Sequence, residues 1–437
     1  MIYQHFLSVL SQQSNHGKVI VAFSGGVDSR VLLHLLAQYR TEFPQTECMA
    51  VHVHHGLSEN ADIWAEQCIK WCSDYQVECR VEKVKLELGN QISTEQEARK
   101  HRYAALAKWV GAGDLLLTGQ HASDQSESFL LALKRGSGPK GLSAMAESSP
   151  FQQGAIVRPL LSVTREKVEE FAREQQLEWI EDESNQDTRY DRNFLRHEVM
   201  PVLRSRWPSM EQSVLRSAKL CADQEALLQE LLEDKLAGMT GENLQLSIGK
   251  LSEQSTLARN QLIRMWLQKQ SSLMPSVRQL ELLWQEVALA SCDANPKLVL
   301  SSGEVRRYQQ QLYFLPHLNN VSEWSNLIQF GQELVLPDSL GTLKMSKVTN
   351  SASQTLRLPG ADEVVRVIFN PEGLSAHPTD RGHSRKLKKL FQEYGIPSWL
   401  RNRTPIIMYN DRLATVVNMF VDKDFSGQDC EFCWNKV

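Results

Sequence analysis

The chain has 437 residues, 42% of them hydrophobic, enough to bury more than one core and to suggest two to four domains. Its 48 basic residues against 52 acidic ones leave a formal charge of −4, which excludes a global attraction for nucleic acid and requires local basic patches for any such partner. The start, MIYQHFLSVLSQQSNHGK, lacks a basic segment followed by a long apolar run and a cleavage site, and no segment holds about 18 uninterrupted apolar residues, so the chain reads as cytoplasmic with no membrane partner.

Up to about residue 200, short apolar runs alternate with stretches of helical period. KVIVAF, CMAVHVHH, CRVEKVKL and DLLLTGQH read as strands, and 30–41, 62–74, 93–110 and 123–134 as helices. The alternation predicts an α/β fold, a doubly wound parallel sheet covered on both faces. From about 208 to 290 the pattern is almost entirely helical. Apolar residues recur there at three and four spacing, as in SVLRSAKLCADQEALLQELLEDKLAGM, and their face suits either a homodimer interface or ordinary intramolecular packing. From about 296 onward, short strands with frequent Gly, Pro, Ser and Asn predict a small mixed α/β module at the end, with TNSASQT (349–355) as a linker. The expected division is 1–207, 208–320 and 321–437.

Eight cysteines without small-scaffold spacing fit reduced, structural thiols better than a disulfide framework. The one Cys-x-x-Cys, Cys430 to Cys433, has no second Cys or His pair nearby and reads as structural rather than zinc-binding.

The first stretch that carries chemistry is VIVAFSGGVDS. A buried-type strand, Val19 to Phe23, runs into Ser24, Gly25 and Gly26, which can turn tightly with positive φ and no Cβ in the way. The amides of Ser24, Gly25, Gly26, Val27, Asp28 and Ser29, backed by a helix N-terminus, then form a nest for a phosphate, with the Ser24 and Ser29 hydroxyls as further donors. Asp28 would repel a phosphate unless a cation lies between them, which points to a magnesium-bridged nucleotide, ATP with Mg²⁺. The alternative is that Asp28 or Ser29 only caps the helix. No Gly-x-x-x-x-Gly-Lys-Ser/Thr occurs, so a lysine bridging β- and γ-phosphates is absent.

Two further clusters lie at strand ends. His52 and His54 share a strand face by period two, with His55 at its edge. With no acid or Cys to complete a first shell, nucleotide or edge-lining roles are favoured over a metal. Asp62 is expected to cap the next helix. After the fourth strand, Asp124 and Glu127 share a helix face behind His121, suited to acid–base or Mg²⁺ work. An acid-rich first turn that complements the helix dipole is the bland alternative. KRGSGPKGL then makes a flexible loop that carries Lys134, Arg135 and Lys140 and could close over phosphate or RNA.

SGGVDS resembles the signature of the PP-loop ATP pyrophosphatases, which implies cleavage of ATP between the α- and β-phosphates and activation of a carbonyl-type oxygen as its adenylate. With VHVHHGL, EARKHRYAAL, GQHASDQSES, RGSGPKGLSAM, RPLL and DESNQDTRYDRNFLRHEVMP, the chain resembles the tRNA(Ile)-lysidine synthetases, densely over about 15–205 and by architecture beyond. Gln120, Ser123 and Ser128 depart from a common His, Asp and Thr of the family's third motif.

The resemblance implies a ligase that adenylates O2 of the wobble cytidine in tRNA(Ile) with a CAU anticodon, then lets the ε-amine of L-lysine attack C2. It implies a catalytic PP-loop domain, a helical tRNA- or substrate-binding domain and a C-terminal tRNA-binding domain. Asp124, His121, Glu127, Arg192 and Arg196 are the expected catalytic set, with Asp28 on the metal. Arg192 and Arg196 lie four apart and project from one side if that stretch is helical. In 381–403, seven basic side chains oppose only Glu393, with Phe391, Tyr394 and Trp399 interleaved, an electrostatic footprint for RNA. Arg385, Lys386, Lys388, Lys389, Arg401 and Arg403 join Arg135 and Lys140 as expected tRNA contacts. The rival readings are a PP-loop tRNA thiolase, disfavoured by the position of Cys430 and Cys433, and a nucleotide-sensing RNA-binding protein without catalysis.

Overall fold

A computed structural model describes residues 1–13, 17–56, 58–84, 94–270, 274–291, 294–348 and 354–436. The chain divides into two compact units, Met1–Glu230 and Leu231–Val437. In the first, the elements are α1 (Ile2–Ser11), β1 (Val19–Ala22), α2 (Val27–Glu42), β2 (Cys48–His54), α3 (Ala61–Asp74), β3 (Glu78–Lys83), α4 (Thr94–Ala107), β4 (Leu115–Leu117), α5 (Ala122–Lys134), α6 (Pro139–Leu142), β5 (Ser148–Phe151), β6 (Gly154–Val157), α7 (Arg165–Glu174), α8 (Asp191–Phe194), α9 (Met200–Arg206) and α10 (Met210–Ala237), along which the division falls. A turn of π-helix, Leu195–Val199, joins α8 to α9.

The six strands form one sheet in the order β3-β2-β1-β4-β6-β5, parallel except for β5. The four residues of β1 are apolar, three of them β-branched, and both sheet faces are covered. Val19 and Val21 pack with Val31, Leu32 and Leu35 of α2, while Ile20 packs with Leu106, Leu116 and Ile156 on the other side. Each such side chain contributes on the order of 1.5–3 kcal/mol through burial. Strands β2 and β3 lie to one side of β1, and β4 and β6 to the other. The carboxyl ends of β1 and β4 therefore flank the point where the strand order reverses, the place where ligands bind in sheets of this kind.

Three local expectations change. DLLLTGQH stops being a strand at Leu117, because Thr118 to His121 turn into α5. The β5–β6 hairpin was not anticipated. Its two-residue turn has Gln152 at φ +54, a left-handed position usually marked by Gly or Asn, so SSPFQQGAIV carries no hairpin signature. Asp62 is not a cap: Asn60 holds the N-cap position of α3, and the Asp62 carboxylate is drawn instead to Lys83 (3.0 Å) and His54 (3.2 Å).

In the second unit, helices at Ile248–Ser252, Thr256–Lys269 and Val277–Leu282 surround a core with Trp266 and Leu262. The wholly helical reading of 208–290 is corrected at Leu246–Ser247, a short strand that heads a four-stranded antiparallel sheet with Gln311–Pro316, Gly303–Tyr308 and Lys297–Leu300. Further antiparallel sheets of five, three and two strands follow, with helices at Leu387–Glu393 and Ser398–Arg401. Residues 349–353 of the expected linker, 85–86 of CRVEKVKL and 93 of the helix expected over 93–110 lie outside the described residues. Among the described residues, no helix is long and apolar enough to cross a membrane.

Candidate functional site

At the end of β1 the chain turns sharply. Gly25 takes φ +87, and a Cβ there would stand 2.6 Å from Ile180 Cδ1 and 3.0 Å from Cys68 Sγ. The Gly25 carbonyl accepts a hydrogen bond from Ile180 N–H (2.9 Å), which fastens the segment before α8 onto the turn. Gly26 differs from the expectation: its φ of −69 and ψ of 165 are ordinary extended values, and it serves as the N-cap residue of α2. Asp28 and Ser29 therefore lie in the first helical turn, where the first N–H groups of a helix have no intrahelical partner and face an incoming anion.

Ser29 is committed to the turn. Its hydroxyl donates to Gly26 O (2.9 Å), accepts from Gly25 N–H (3.1 Å) and lies 3.1 Å from Ser24 Oγ, so it shapes the nest more than it extends it. Gly119, which the motif reading passed over, sits against the same turn. A Cβ on Gly119 would be 3.0 Å from Asp28 Cβ and 3.3 Å from Ser29 N. A glycine two residues after β4, at the strand-order reversal, was the sequence signal for this close approach.

The start of α5 faces this turn. His121 is 1% exposed and caps α5: its Nδ1 accepts from Ser123 N–H (3.2 Å), and Asp124 Oδ2 accepts from His121 N–H (3.0 Å). Asp124 thus completes the cap of α5 and also faces charge. The Nε2 edge of His121 lies 3.4 Å from Asp124 Oδ2 and 3.8 Å from Asp28 Oδ1. Asp28 Oδ1 is buried without a hydrogen-bond partner in the protein. Burial pushes the Asp28 carboxyl pKa upward, with Asp124 adding to the rise and His121 opposing it.

Arg192 and Arg196 do project from one side, and Glu127 receives both. Arg196 donates from Nε to Glu127 Oε1 (2.8 Å) and from Nη2 to Glu127 Oε2 (3.0 Å) and Asp124 Oδ1 (3.1 Å). Arg192 donates to Glu127 Oε2 (3.0 Å) and Ser128 Oγ (3.0 Å). Burial works against the Arg196 charge, but Glu127, Asp124 and Asp28 outweigh it and raise the pKa. The two guanidiniums keep about a quarter of their side-chain surface exposed, so they are held from behind and offered outward.

The histidines after β2 stand apart from this cluster. His52 Nδ1 lies 2.9 Å from Phe23 O, within the sheet. Burial first, then Arg102 and the neighbouring histidines, push the His55 pKa down to about 4, which keeps it neutral. Among the described residues, no three His, Cys, Asp or Glu side chains come together as a metal cage. Cys430 is buried and Cys433 exposed on their strand.

The expected RNA contacts divide. Arg135 and Lys140 are exposed near the end of α5 and on α6. Lys386, Lys388 and Lys389 are exposed and make no ion pair among the described residues. Arg385 and Arg381 both pair with Glu393, and Arg401 Nε donates to Ile396 O (3.0 Å). Arg403 must be withdrawn from the list. It is 9% exposed, paired to Asp338 (2.8 Å) and bonded to Asn319 O, so its charge is spent in the fold. The interleaved aromatics also pack inward: Phe391 is buried, Tyr394 stacks on Phe420, and Trp399 meets Tyr308 and Tyr313.

Residues 2–203 match a PP-loop domain, 246–313 the TilS substrate binding domain and 365–436 the TilS substrate C-terminal domain. The tRNA(Ile)-lysidine synthase of Vibrio parahaemolyticus is 58% identical over 436 residues, covering 100% of this chain and 99% of that protein. The chain belongs to the tRNA(Ile)-lysidine synthase family, a family of ligases. Relatives with the same name in Vibrio cholerae and Photobacterium profundum are 51% and 50% identical, again over almost all of both chains.

Membership gives the third-motif departures a physical reading. Ser128 accepts from Arg192 as the family's threonine hydroxyl could. Ser123 accepts from Arg204 Nη2 (3.0 Å), and Arg204 is also paired with Glu211 and Glu166. The hydroxyl at position 123 therefore faces Arg204 of α9 and, through it, Glu211 of α10. Gln120 accepts from Thr118 Oγ1 within the turn (2.5 Å).

Proposed function

We propose that this chain ligates L-lysine to C2 of the wobble cytidine of tRNA(Ile) bearing a CAU anticodon, consuming ATP. In the first step O2 of the cytidine attacks the α-phosphorus of ATP and pyrophosphate leaves. In the second the lysine ε-amine bonds to C2, the C2–O bond to AMP breaks, and the amine loses a proton. The product, lysidine, changes decoding from AUG to AUA. The observation that carries the reading is the meeting of the Gly25–Ser29 turn with Asp124, Arg192 and Arg196 at the strand-order reversal.

In this reading the turn amides hold the departing pyrophosphate. Arg192 and Arg196, fixed by Glu127, meet the charge on the α-phosphate. Glu127 is sealed at 1% exposure with both oxygens on guanidiniums and acts by placing them, while Asp124, at 15%, is the more open acid and orients the lysine amine or takes its proton. The unpartnered Asp28 oxygen fits a hard cation that keeps phosphate oxygens and water as its remaining ligands. Asp28 would hold Mg²⁺ there, whose charge offsets that of the polyphosphate. The wobble base leaves its stack at small cost, because an anticodon loop is already single-stranded. We assign 1–207 to catalysis, 208–320 to substrate binding and 321–437 to tRNA binding, and place the reaction in the cytoplasm with tRNA.

The test is incubation of tRNA(Ile) bearing CAU with ATP, Mg²⁺ and labelled lysine. tRNA-dependent pyrophosphate release and label in the tRNA are expected. Conversion of ATP to ADP and orthophosphate would overturn the assignment, and unchanged labelling by Asp124→Ala would remove Asp124 from it.

A further inference from the structure

The loop that follows α5 is tied back to the start of the same helix. Its first residues close on the helix end: Gly136 N–H donates to Leu133 O (2.9 Å) and Ser137 N–H to Ala132 O (3.0 Å). Its last residue, Met145, is gripped by the side chain of Gln125, in the first turn of α5. Gln125 Nε2 donates to Met145 O (2.7 Å), and Met145 N–H donates to Gln125 Oε1 (2.9 Å). The amide side chain thus satisfies both main-chain groups of Met145 in the manner of a paired strand, and Gln125 is only 6% exposed. Arg158 adds a bond to Ala146 O (2.7 Å) just beyond. Between the two ties run Gly136–Ala144, with α6 and Lys140 among them. Lys134, at the root, reaches Asp191 beside Arg192 (2.7 Å).

Gln125 lies between Asp124 and Glu127, yet it points to neither the phosphate turn nor the arginines. We propose that Gln125 is a positioning residue for tRNA: it fixes the loop 136–144 in register with the acid–arginine cluster, so that Lys140 within it meets the RNA backbone beside Arg135 while the wobble base is held at the reacting centre. The proposal rests on the lysidine-forming reading and names a residue that this reading leaves without a role.

The experiment uses the full-length chain, with lysine incorporation followed at varied tRNA and at varied ATP. Gln125→Leu removes both bonds; Gln125→Glu keeps the acceptor for Met145 N–H and loses the donor. Gln125→Leu is expected to raise KM for tRNA about tenfold, the loss of one modest anchoring interaction, while kcat and KM for ATP stay within about twofold. Gln125→Glu should fall between Leu and the parent, and hydrogen exchange at Met145 N–H should quicken in the order parent, Glu, Leu. Lys140→Ala should cost less in the Leu background than in the parent, since the loop is already misplaced. Equal losses in KM for tRNA, KM for ATP and kcat would overturn the proposal, as would no change in any of them. If Gln125→Leu fails to fold, the Glu variant decides by the same comparison. Absence of lysine incorporation by the parent itself is read separately and would defeat the ligase reading rather than this one.

Discussion

Arg196 and Glu127 form a two-bond pair, Nε to Oε1 at 2.8 Å and Nη2 to Oε2 at 3.0 Å, in which the carboxylate is 1% exposed and the guanidinium 25%. The pair is asymmetric: its acid is sealed in and its cation is presented. A carboxylate so occupied holds charge in place and has no free lone pair directed at substrate. Glu127→Gln should therefore lower stability by about 1–3 kcal/mol, the scale of hydrogen bonds to charged groups, read by urea denaturation. Activity should fall with it, while the acid limb of the pH–rate profile stays where it is. A displaced limb would make Glu127 the proton acceptor after all.

The two glycines of the phosphate turn should behave differently. Gly25→Ala must place a Cβ against Ile180 and adopt left-handed backbone, a cost of roughly 1–2 kcal/mol before any clash. A lower melting temperature is expected. Gly26 has extended backbone, and its Cβ would make only ordinary contacts, with Ser24 Oγ at 3.6 Å and Ile180 O at 3.9 Å. Gly26→Ala should melt like the parent and show its defect in KM for ATP alone.

Asp28 carries a cost that binding would offset. Its folded pKa is raised, so the charged form disfavours the fold, and stability falls as pH rises through the unfolded value of 3.8 toward the folded one. Asp28→Asn removes that penalty. Its melting temperature at neutral pH should exceed the parent's, with the difference shrinking below the unfolded pKa, while ATP-dependent activity is lost. A variant less stable than the parent at neutral pH would contradict this reading.

Glu363 gives the second unit an acid limit. Arg357 binds it through two nitrogens, first among the causes that hold its pKa down to about 2 from 4.5, and Gly360 N–H adds a third bond. The stabilisation is complete above pH 4.5 and is lost as pH falls through about 2. Glu363→Gln should flatten this part of the stability–pH curve, measured by tryptophan fluorescence during acid titration.

Lysines and arginine in the last basic stretch separate into two effects. Replacing Lys386, Lys388 and Lys389 together by Ala should weaken tRNA binding uniformly and reduce the salt slope by about 2–3, near 0.7–0.9 per lost phosphate contact. Arg403→Ala should instead lower the melting temperature, because Asp338 and Asn319 lose their partner. Filter binding at several salt concentrations, beside thermal melts, distinguishes the two.

The strand, turn and helix around SGGVDS were legible because each is written locally: a β-branched run, glycines and a periodic leucine face. The shared face of Arg192 and Arg196 was legible from spacing alone. Partners more distant in sequence were not. Glu127 lies 65 and 69 residues from the arginines it binds, and no local pattern distinguishes a carboxylate that will be sealed by guanidiniums from one left open to substrate. For the same reason Arg403 looked like its lysine neighbours, since charge can be read from composition but burial comes from the Asp338 loop 65 residues before it. The hairpin at 148–157 escaped because its turn uses glutamine where glycine is usual.

The π-turn at Leu195–Val199 sets the angular phase between two halves of one continuous rod. Arg192 and Arg196 depend on it for their aim at Glu127, and Arg204 depends on it for its aim at Ser123. A π-turn advances each residue by less than the roughly 100° of an α-helix, so it takes up one residue more than regular winding would hold while keeping the two halves in phase. An insertion in the regular winding on either side would instead swing one half about 100° against the other, and an indel scan should find those flanking turns less forgiving than a substitution scan does.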